Sequence, residues 1–296
     1  MRILVTGGTG FLGSKFVRAA ASQGHQLGLL TRLPSAPIDS ADLGIATLPG
    51  TVAEPDWESI KRFAPEACVH AAWIATPGVY LDSPENEAWV NWSTRLIVKL
   101  SEIGVRHVTV LGTCIEYRMT GQPLHEDSTP VAPVSRYARC KHQLHQELLE
   151  RLDLKKMRLA WARIFYPYGE GEHPARLASS LISKIRAGQN ILLKTPHSVK
   201  DYIHATDIAA ALLTVVERDF CGAINLGSGE GVQVEFIARR IAELLGRPDL
   251  VQVPENPPSD PFDFVVADPA KLHALGWKQQ VELEEGLHRL IDARTE

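Results

Sequence analysis

Short, fully apolar runs alternate along the chain with longer stretches in which apolar residues recur at helical spacing. That pattern marks buried parallel strands joined by crossover helices. Ile3, Leu4 and Val5 make the first strand, and helical periodicity follows over residues 14–23. Strands are predicted at 26–30 and 45–48, a helix at 56–63 and a small-residue strand end at 67–72. After a loop over 73–88 comes a helix at 89–104, with Val90, Leu96, Ile97 and Leu100 on its apolar face. A buried strand at 105–111 and a long helix at 135–152 follow. Further on, the pattern predicts helices at 182–187, 207–217, 234–245 and 283–293, and a strand at 191–194. Strand–helix alternation of this kind predicts an α/β fold with a doubly wound parallel sheet. Residues 1–165 and 199–228 form its core, and 166–198 with 229–296 form a smaller lobe over the sheet's carboxyl edge. A substrate cleft is expected between the two.

Composition narrows the class. With 45% hydrophobic and 22% charged residues over 296 positions, the chain can bury a full core. A net charge of −4 gives no basis for binding nucleic acid or a membrane surface. No apolar run is long enough to span a bilayer. The first strand starts at once, leaving no room for a cleavable signal, and Cys68, Cys114, Cys140 and Cys221 form no Cys-x-x-Cys pair. A cytoplasmic, thiol-reduced protein is the expectation. His142 and His145 lie three apart without a third ligand at useful spacing, so no metal site is expected.

Two motifs carry chemistry. Gly7, Gly10 and Gly13 stand between the first strand and its helix. Gly7 permits the tight turn, Gly10 lets a diphosphate approach the backbone, and Gly13 lets the helix pack closely on the strand. The helix N-terminus then faces the anion. About twenty residues on, where such a site reads the adenosine ribose, the second strand ends at Thr31-Arg32, with Ser35 nearby. A basic residue there pairs with a 2′-phosphate, so Arg32 leans the reading to NADP(H), with NAD(H) second. Ala71 and Ala72 would let a flat cofactor lie against the backbone, although close packing explains them equally. The second motif is Tyr137-x-x-x-Lys141, opening a helix after a strand that ends at Thr113. Residues four apart share a helix face. An ammonium there lowers a phenol's pKa from about 10 and fits it for proton exchange with an alcohol or carbonyl oxygen. Cys114 and Cys140 read as inert buried thiols, and Asp207 as a residue near a helix cap. Trp73, Trp89 and Trp92 line either the cleft or the core.

These stretches resemble the extended short-chain dehydrogenase/reductase superfamily, in particular its NAD(P)-dependent nucleotide-sugar epimerase, dehydratase and reductase branch. The resemblance runs through Thr6-Gly-Gly-Thr-Gly-Phe-Leu-Gly13, Val69-His-Ala-Ala72, Gly112-Thr-Cys-Ile-Glu-Tyr117 and Tyr137-x-x-x-Lys141. It continues through Ala162-Arg-Ile-Phe-Tyr-Pro-Tyr-Gly169, Lys200-Asp-Tyr-Ile-His204, Ile224-Asn-Leu-Gly-Ser-Gly229 and Ala267-Asp-Pro-Ala-Lys271. It implies a Rossmann fold and a triad of Thr113, Tyr137 and Lys141. In that triad Tyr137 is the acid/base, Thr113 bonds the reacting oxygen, and Lys141 holds the nicotinamide ribose. Gly7, Gly10, Phe11, Leu12 and Gly13 match the diphosphate turn, while Arg32, Ala71 and Ala72 complete the cofactor site. Tyr166, where the family often carries asparagine, and Lys200, where it often carries a diphosphate-binding arginine, fall on the substrate side. The 254–264 segment lacks a further arginine common in the family. A homodimer is the family expectation.

Three functions follow. The first is NADPH-dependent reduction of a keto-sugar nucleotide, which Arg32 favours because a 2′-phosphate preference suits a consumed reductant. The second is epimerisation, in which a sugar is transiently oxidised. The third is a non-catalytic dinucleotide sensor, against which an intact triad argues. A 4,6-dehydratase is disfavoured, because Cys114-Ile115 stand where that branch carries Asp-Glu.

Overall fold

In the computed structural model, which describes residues 1–32 and 45–293, the core strands are β1 (Arg2–Thr6), β2 (Gln26–Thr31), β3 (Ile45–Pro49), β4 (Ala67–His70), β5 (His107–Thr113) and β6 (Arg158–Ile164). Short strands β7 (Tyr166–Tyr168), β8 (Ile191–Leu192) and β9 (Val199–His204) follow, and β10 (Gly222–Leu226) returns to the core. The main sheet runs β10-β6-β5-β4-β1-β2-β3, and each neighbouring pair is parallel. The strand order reverses at β1, between β2 and β4. In doubly wound sheets the crevice at that switch point is where ligands bind.

Helices cover both faces. On one, α1 (Phe11–Ser22) packs beside α6 (Ala205–Glu217), burying Phe16, Val17, Ile208 and Leu212 against Ile3 and Val5. On the other lie α2 (Trp57–Phe63), α3 (Glu85–Glu102) and α4 (Arg136–Arg151), with Ile97, Leu100, Leu144 and Trp161 in their core. Strands buried on both faces explain the unbroken apolar runs. Asp56 caps α2 by accepting from Glu58 and Ser59 N–H, and Ser135 caps α4 by accepting from Ala138 N–H. The smaller lobe holds α5 (Leu177–Arg186), α7 (Val234–Leu244) and α9 (Leu283–Asp292) around Leu181, Ile237 and Leu287. Its sheet orders β11 (Gly231–Gln233), β9 and β13 (Phe264–Val265), with β7 also on β9, while β12 (Val251–Gln252) pairs β8. A short helix, α8 (Ala270–Ala274), precedes the closing one.

Several boundaries differ from expectation. α1 starts at Phe11 rather than at residue 14, since Gly13 sits in its first turn. Glycine disfavours helix locally, yet here a Cβ would lie 2.0 Å from the Gly7 carbonyl, so glycine is what lets the helix close on the turn. α3 begins at Glu85, inside the predicted loop, because its first turn is polar and acidic, which suits the positive end of the helix dipole. The strand expected at 191–194 is two residues long. The cap of α6 is His204, and Asp207 lies buried in the first turn. Its carboxylate accepts the N–H groups of Gln280 at 2.9 Å and Val281 at 3.0 Å, so it pins the closing segment to the core.

Candidate active site

The glycine turn after β1 meets the loop after β4. Gly7 has φ +69°, and a Cβ on it would lie 2.7 Å from the Ala72 amide nitrogen, so only glycine fits. A Cβ on Gly10 would meet only the Gly7 carbonyl, at 3.3 Å. Its missing side chain therefore leaves room on the outer side, at the N-terminus of α1. That is the shape and polarity a dinucleotide diphosphate needs. From there a cleft of about 720 Å³ runs past Thr31 and Arg32 at the end of β2, beside Thr51, to Trp89 and Trp92. Those two indoles belong to the cleft as well as to the core behind it. Ser35 lies outside the described residues.

A second cleft, of about 220 Å³, adjoins it at the switch point. Ala72 lines the first and Ala71 and Leu12 line the second, whose far wall carries Thr113, Tyr137, Lys141 and Tyr166. Phe11 is half-buried beside them, 6.0 Å from the Arg176 guanidinium. The residues singled out for chemistry thus converge from the ends of β1, β4 and β5, from α4 and from β7. Behind the wall, His70 accepts or donates at 2.8 Å to Thr6 and 2.8 Å to Ser93. Burial holds it at about 3, neutral, as a tie between β4 and α3.

The Thr113 hydroxyl faces the Tyr137 phenol closely enough to oppose the rise of its pKa. Lys141 is almost fully buried and donates to the Leu111 carbonyl at 2.7 Å. Its ammonium lies 3.9 Å from the Trp73 ring centroid and 5.9 Å from that of Tyr137. A depressed phenol was expected. Instead, burial pushes Tyr137 well above the ordinary phenol value, and the nearby Tyr80, Glu116 and Cys114 add to it. Burial also pushes Lys141 down from 10.5 to about 7, with Glu116 opposing. Desolvation disfavours whichever form is charged, and it outweighs the attraction between the two groups that their spacing implied.

Lys200 is placed differently from the expectation of a free phosphate ligand. It is buried, bonded to the Asp260 carboxylate at 2.9 Å and to the Phe262 carbonyl, and 5.5 Å from the Tyr166 ring centroid. It therefore sits behind Tyr166 and ties β9 to the 254–264 segment. Two residues that the sequence reading passed over also line the small cleft. Tyr80 meets Tyr137 edge-on with centroids 4.9 Å apart, and Arg176 lies at the mouth. Both come from irregular segments, where periodicity carries no signal.

Residues 3–227 match the NAD dependent epimerase/dehydratase family. The chain belongs to that family. A UDP-glucose 4-epimerase of Mycolicibacterium smegmatis is 27% identical, with 99% of this chain and 98% of that protein covered. UDP-glucuronic acid decarboxylase 6 of Arabidopsis thaliana is 26% identical, with 97% of this chain and 87% of that protein covered. Among solved structures, the UDP-glucose 4-epimerase of Thermus thermophilus in complex with NAD superposes with a TM-score of 0.82 at 24% identity, covering 99% of this chain and 98% of the other.

Membership in this epimerase/dehydratase family makes the protein an NAD-dependent enzyme and corrects two expectations. Where the solved relatives are described with a dinucleotide it is NAD, which overturns the preference for NADP(H). Arg32 is exposed, and the other residues lining its cleft are uncharged, so among the described residues no second cation there supports a 2′-phosphate. A guanidinium also stacks on flat aromatic rings, so its presence does not discriminate between the cofactors. The net keto-sugar reductase falls with it, because that reading leaned on Arg32. Eight curated relatives are 4-epimerases and decarboxylases, and two similar solved structures are dehydratases, which favours the second reading over the first.

Proposed function

We propose that the protein is an NAD-dependent nucleotide-sugar epimerase, which oxidises one sugar carbinol and reduces it again from the other face within a turnover. The observation that carries this reading is the small cleft's lining. Thr113, Tyr137 and Lys141 stand together there, and no carboxylate is among the described lining residues. Eliminating water from a sugar needs a further base beside the oxidised carbon, and Cys114 and Ile115, both buried and apolar, occupy the positions next to Thr113. Out-and-back hydride transfer needs only one proton donor and acceptor.

Bound NAD would supply the hydride acceptor and return the same hydride. Gly7, Gly10 and Gly13, with the N-terminus of α1, would hold its diphosphate, and Arg32 would face its adenosine end. Thr113 would orient the sugar hydroxyl, and Tyr137 would take its proton and later give it back. Lys141 would hold the ribose and, when protonated, stabilise the phenolate. Tyr166 would contact the sugar. Lys200 would meet a substrate diphosphate by exchanging its Asp260 contact for phosphate oxygens. On this reading residues 1–165 and 199–228 hold the cofactor, and 166–198 with 229–296 hold the substrate. We place a homodimer face on α3 and α4, which pack side by side, and the enzyme in the cytoplasm. Among the described residues no helix is long and apolar enough to cross a membrane.

The test is proton NMR of UDP-hexoses incubated in D₂O with enzyme and no added reductant. Epimerisation should proceed with the transferred hydrogen undiluted by solvent deuterium. Deuterium appearing on a neighbouring carbon, or dependence on added NADPH, would refute the reading.

A further inference from the structure

The turn that carries Thr113 is built around a carboxylate that the proposed chemistry does not use. Glu116 is fully buried, one residue past the small cleft's apolar lip. Its Oε1 accepts the Thr113 N–H at 2.9 Å, and the Thr113 hydroxyl oxygen accepts the Glu116 N–H in return. Trp161 Nε1 donates to Oε2 at 2.9 Å, and Arg163 Nε donates to the same oxygen at 3.2 Å. Arg163 also donates to the Tyr117 hydroxyl at 2.7 Å, which donates to Asn225 Oδ1 at 2.8 Å. Gly112 leaves the space for this network. A Cβ there would lie 2.4 Å from Trp161 Nε1 and 2.8 Å from Glu116 Oε1.

Lys141 grips the same few residues from the other end, since its ammonium bonds the Leu111 carbonyl. The last three residues of β5 are therefore fixed between an ammonium and a carboxylate. The groups around Lys141 come from each element packed against it. His70 on β4 is neutral, Trp73 offers a ring face, Tyr137 lies on the same helix, and Glu116 sits on the turn after β5. Arg163 on β6 is paired with Glu116. Stability alone is a poor reason for this arrangement, because an apolar turn folds as well as a buried ion pair. Its contacts end on the hydroxyl that meets Tyr137. A hydroxyl has one proton and two lone pairs. With one lone pair taken by Glu116 N–H, the rest of the Thr113 hydroxyl faces Tyr137 and the cleft.

We propose that Glu116 is a positioning residue for the Thr113, Tyr137 and Lys141 set, holding the Thr113 backbone and hydroxyl in register and placing a buried negative charge at the strand end whose Leu111 carbonyl the Lys141 ammonium bonds. The proposal rests on the catalytic roles assigned to those three residues above.

Two variants separate the two contributions. Glu116→Gln keeps the length and the acceptor and loses the charge, leaving the Arg163 cation unopposed. Glu116→Asp keeps the charge and withdraws the acceptor from Thr113. The protonation midpoint of Lys141 is read from ¹³Cε shifts in protein labelled at lysine, the resonance being assigned by its loss in Lys141→Arg. This readout requires neither substrate nor cofactor. A lost negative charge and an unopposed positive one both disfavour the ammonium, so Glu116→Gln should move the midpoint to lower pH by about one unit. Glu116→Asp should leave the midpoint in place and lower kcat about tenfold or more at unchanged KM, a loss of about 1.4 kcal/mol in transition-state stabilisation. An unmoved midpoint in Glu116→Gln, or wild-type kcat in Glu116→Asp, overturns the proposal. Should Glu116→Gln fail to fold, the kcat and KM of Glu116→Asp decide, and a raised KM with unchanged kcat counts against. If the wild type epimerises no nucleotide sugar, the reaction is refuted while the Lys141 midpoints still test the charge.

Discussion

Lys141 should be a liability for stability, and Lys141→Met exposes it. The side chain is 2% exposed, and burial lowers its pKa from 10.5 to about 7. That gap, at about 1.36 kcal/mol per pH unit, means that folding at pH 7 costs about 5 kcal/mol that an uncharged side chain avoids. Methionine retains the apolar stem but leaves the Leu111 carbonyl without its donor, a loss of about 1–3 kcal/mol. The net gain at pH 7 is then about 2–4 kcal/mol. The sign with pH follows from proton binding. Between about 7 and 10.5 the unfolded chain keeps the proton that the folded chain releases. Wild-type stability therefore rises through that window by about 1.36 kcal/mol per unit. Below pH 7 both states are protonated and the penalty is constant. The methionine variant should be the more stable at pH 7 and lose its advantage near pH 9, where the two terms cancel at about 2 kcal/mol. Urea unfolding of cofactor-stripped protein at each pH from 6 to about 10 measures this, since bound ligand would add its own term. A variant less stable than wild type at pH 7, or a difference that does not change with pH, would refute the reasoning.

Four further variants have expected outcomes. Tyr137→Phe removes one oxygen from the cleft wall and should lower kcat by about 10²–10⁴ while bound NAD is retained, as single-turnover absorbance and cofactor content will show. Gly13→Ala places a Cβ 2.0 Å from the Gly7 carbonyl. It should open the glycine turn and cost about 2 kcal/mol or more, with loss of NAD binding by calorimetry; an alanine variant that binds NAD normally would contradict the packing. Lys200→Ala should raise KM far more than it lowers kcat, whereas Asp260→Ala, which frees the ammonium from its internal anion, should tighten UDP binding in a titration; weaker UDP binding there would show that Asp260 holds Lys200 in its working position.

The strand–helix alternation, the glycine turn and the Tyr137–Lys141 pair were all legible along the chain, because each rests on local spacing. A buried parallel strand is apolar throughout, a tight βα turn needs glycine, and residues four apart share a helix face. The placement of Thr113 at a strand end followed from the same reading. What depended on depth and on distant partners was decided only by tertiary structure. Spacing put an ammonium near a phenol, but burial reversed the expected effect on the phenol. Lys200 stood where a phosphate ligand belongs, yet Asp260, sixty residues away in sequence, holds it. Asp207 looked like part of a cap and instead anchors residues 280 and 281. Arg32 offered a charge without its surroundings, and a charge alone does not select a cofactor. Glu116 and Arg163 were single charges in apolar segments. Their pairing beneath Thr113 required β5 and β6 to lie side by side, a contact that no local pattern encodes.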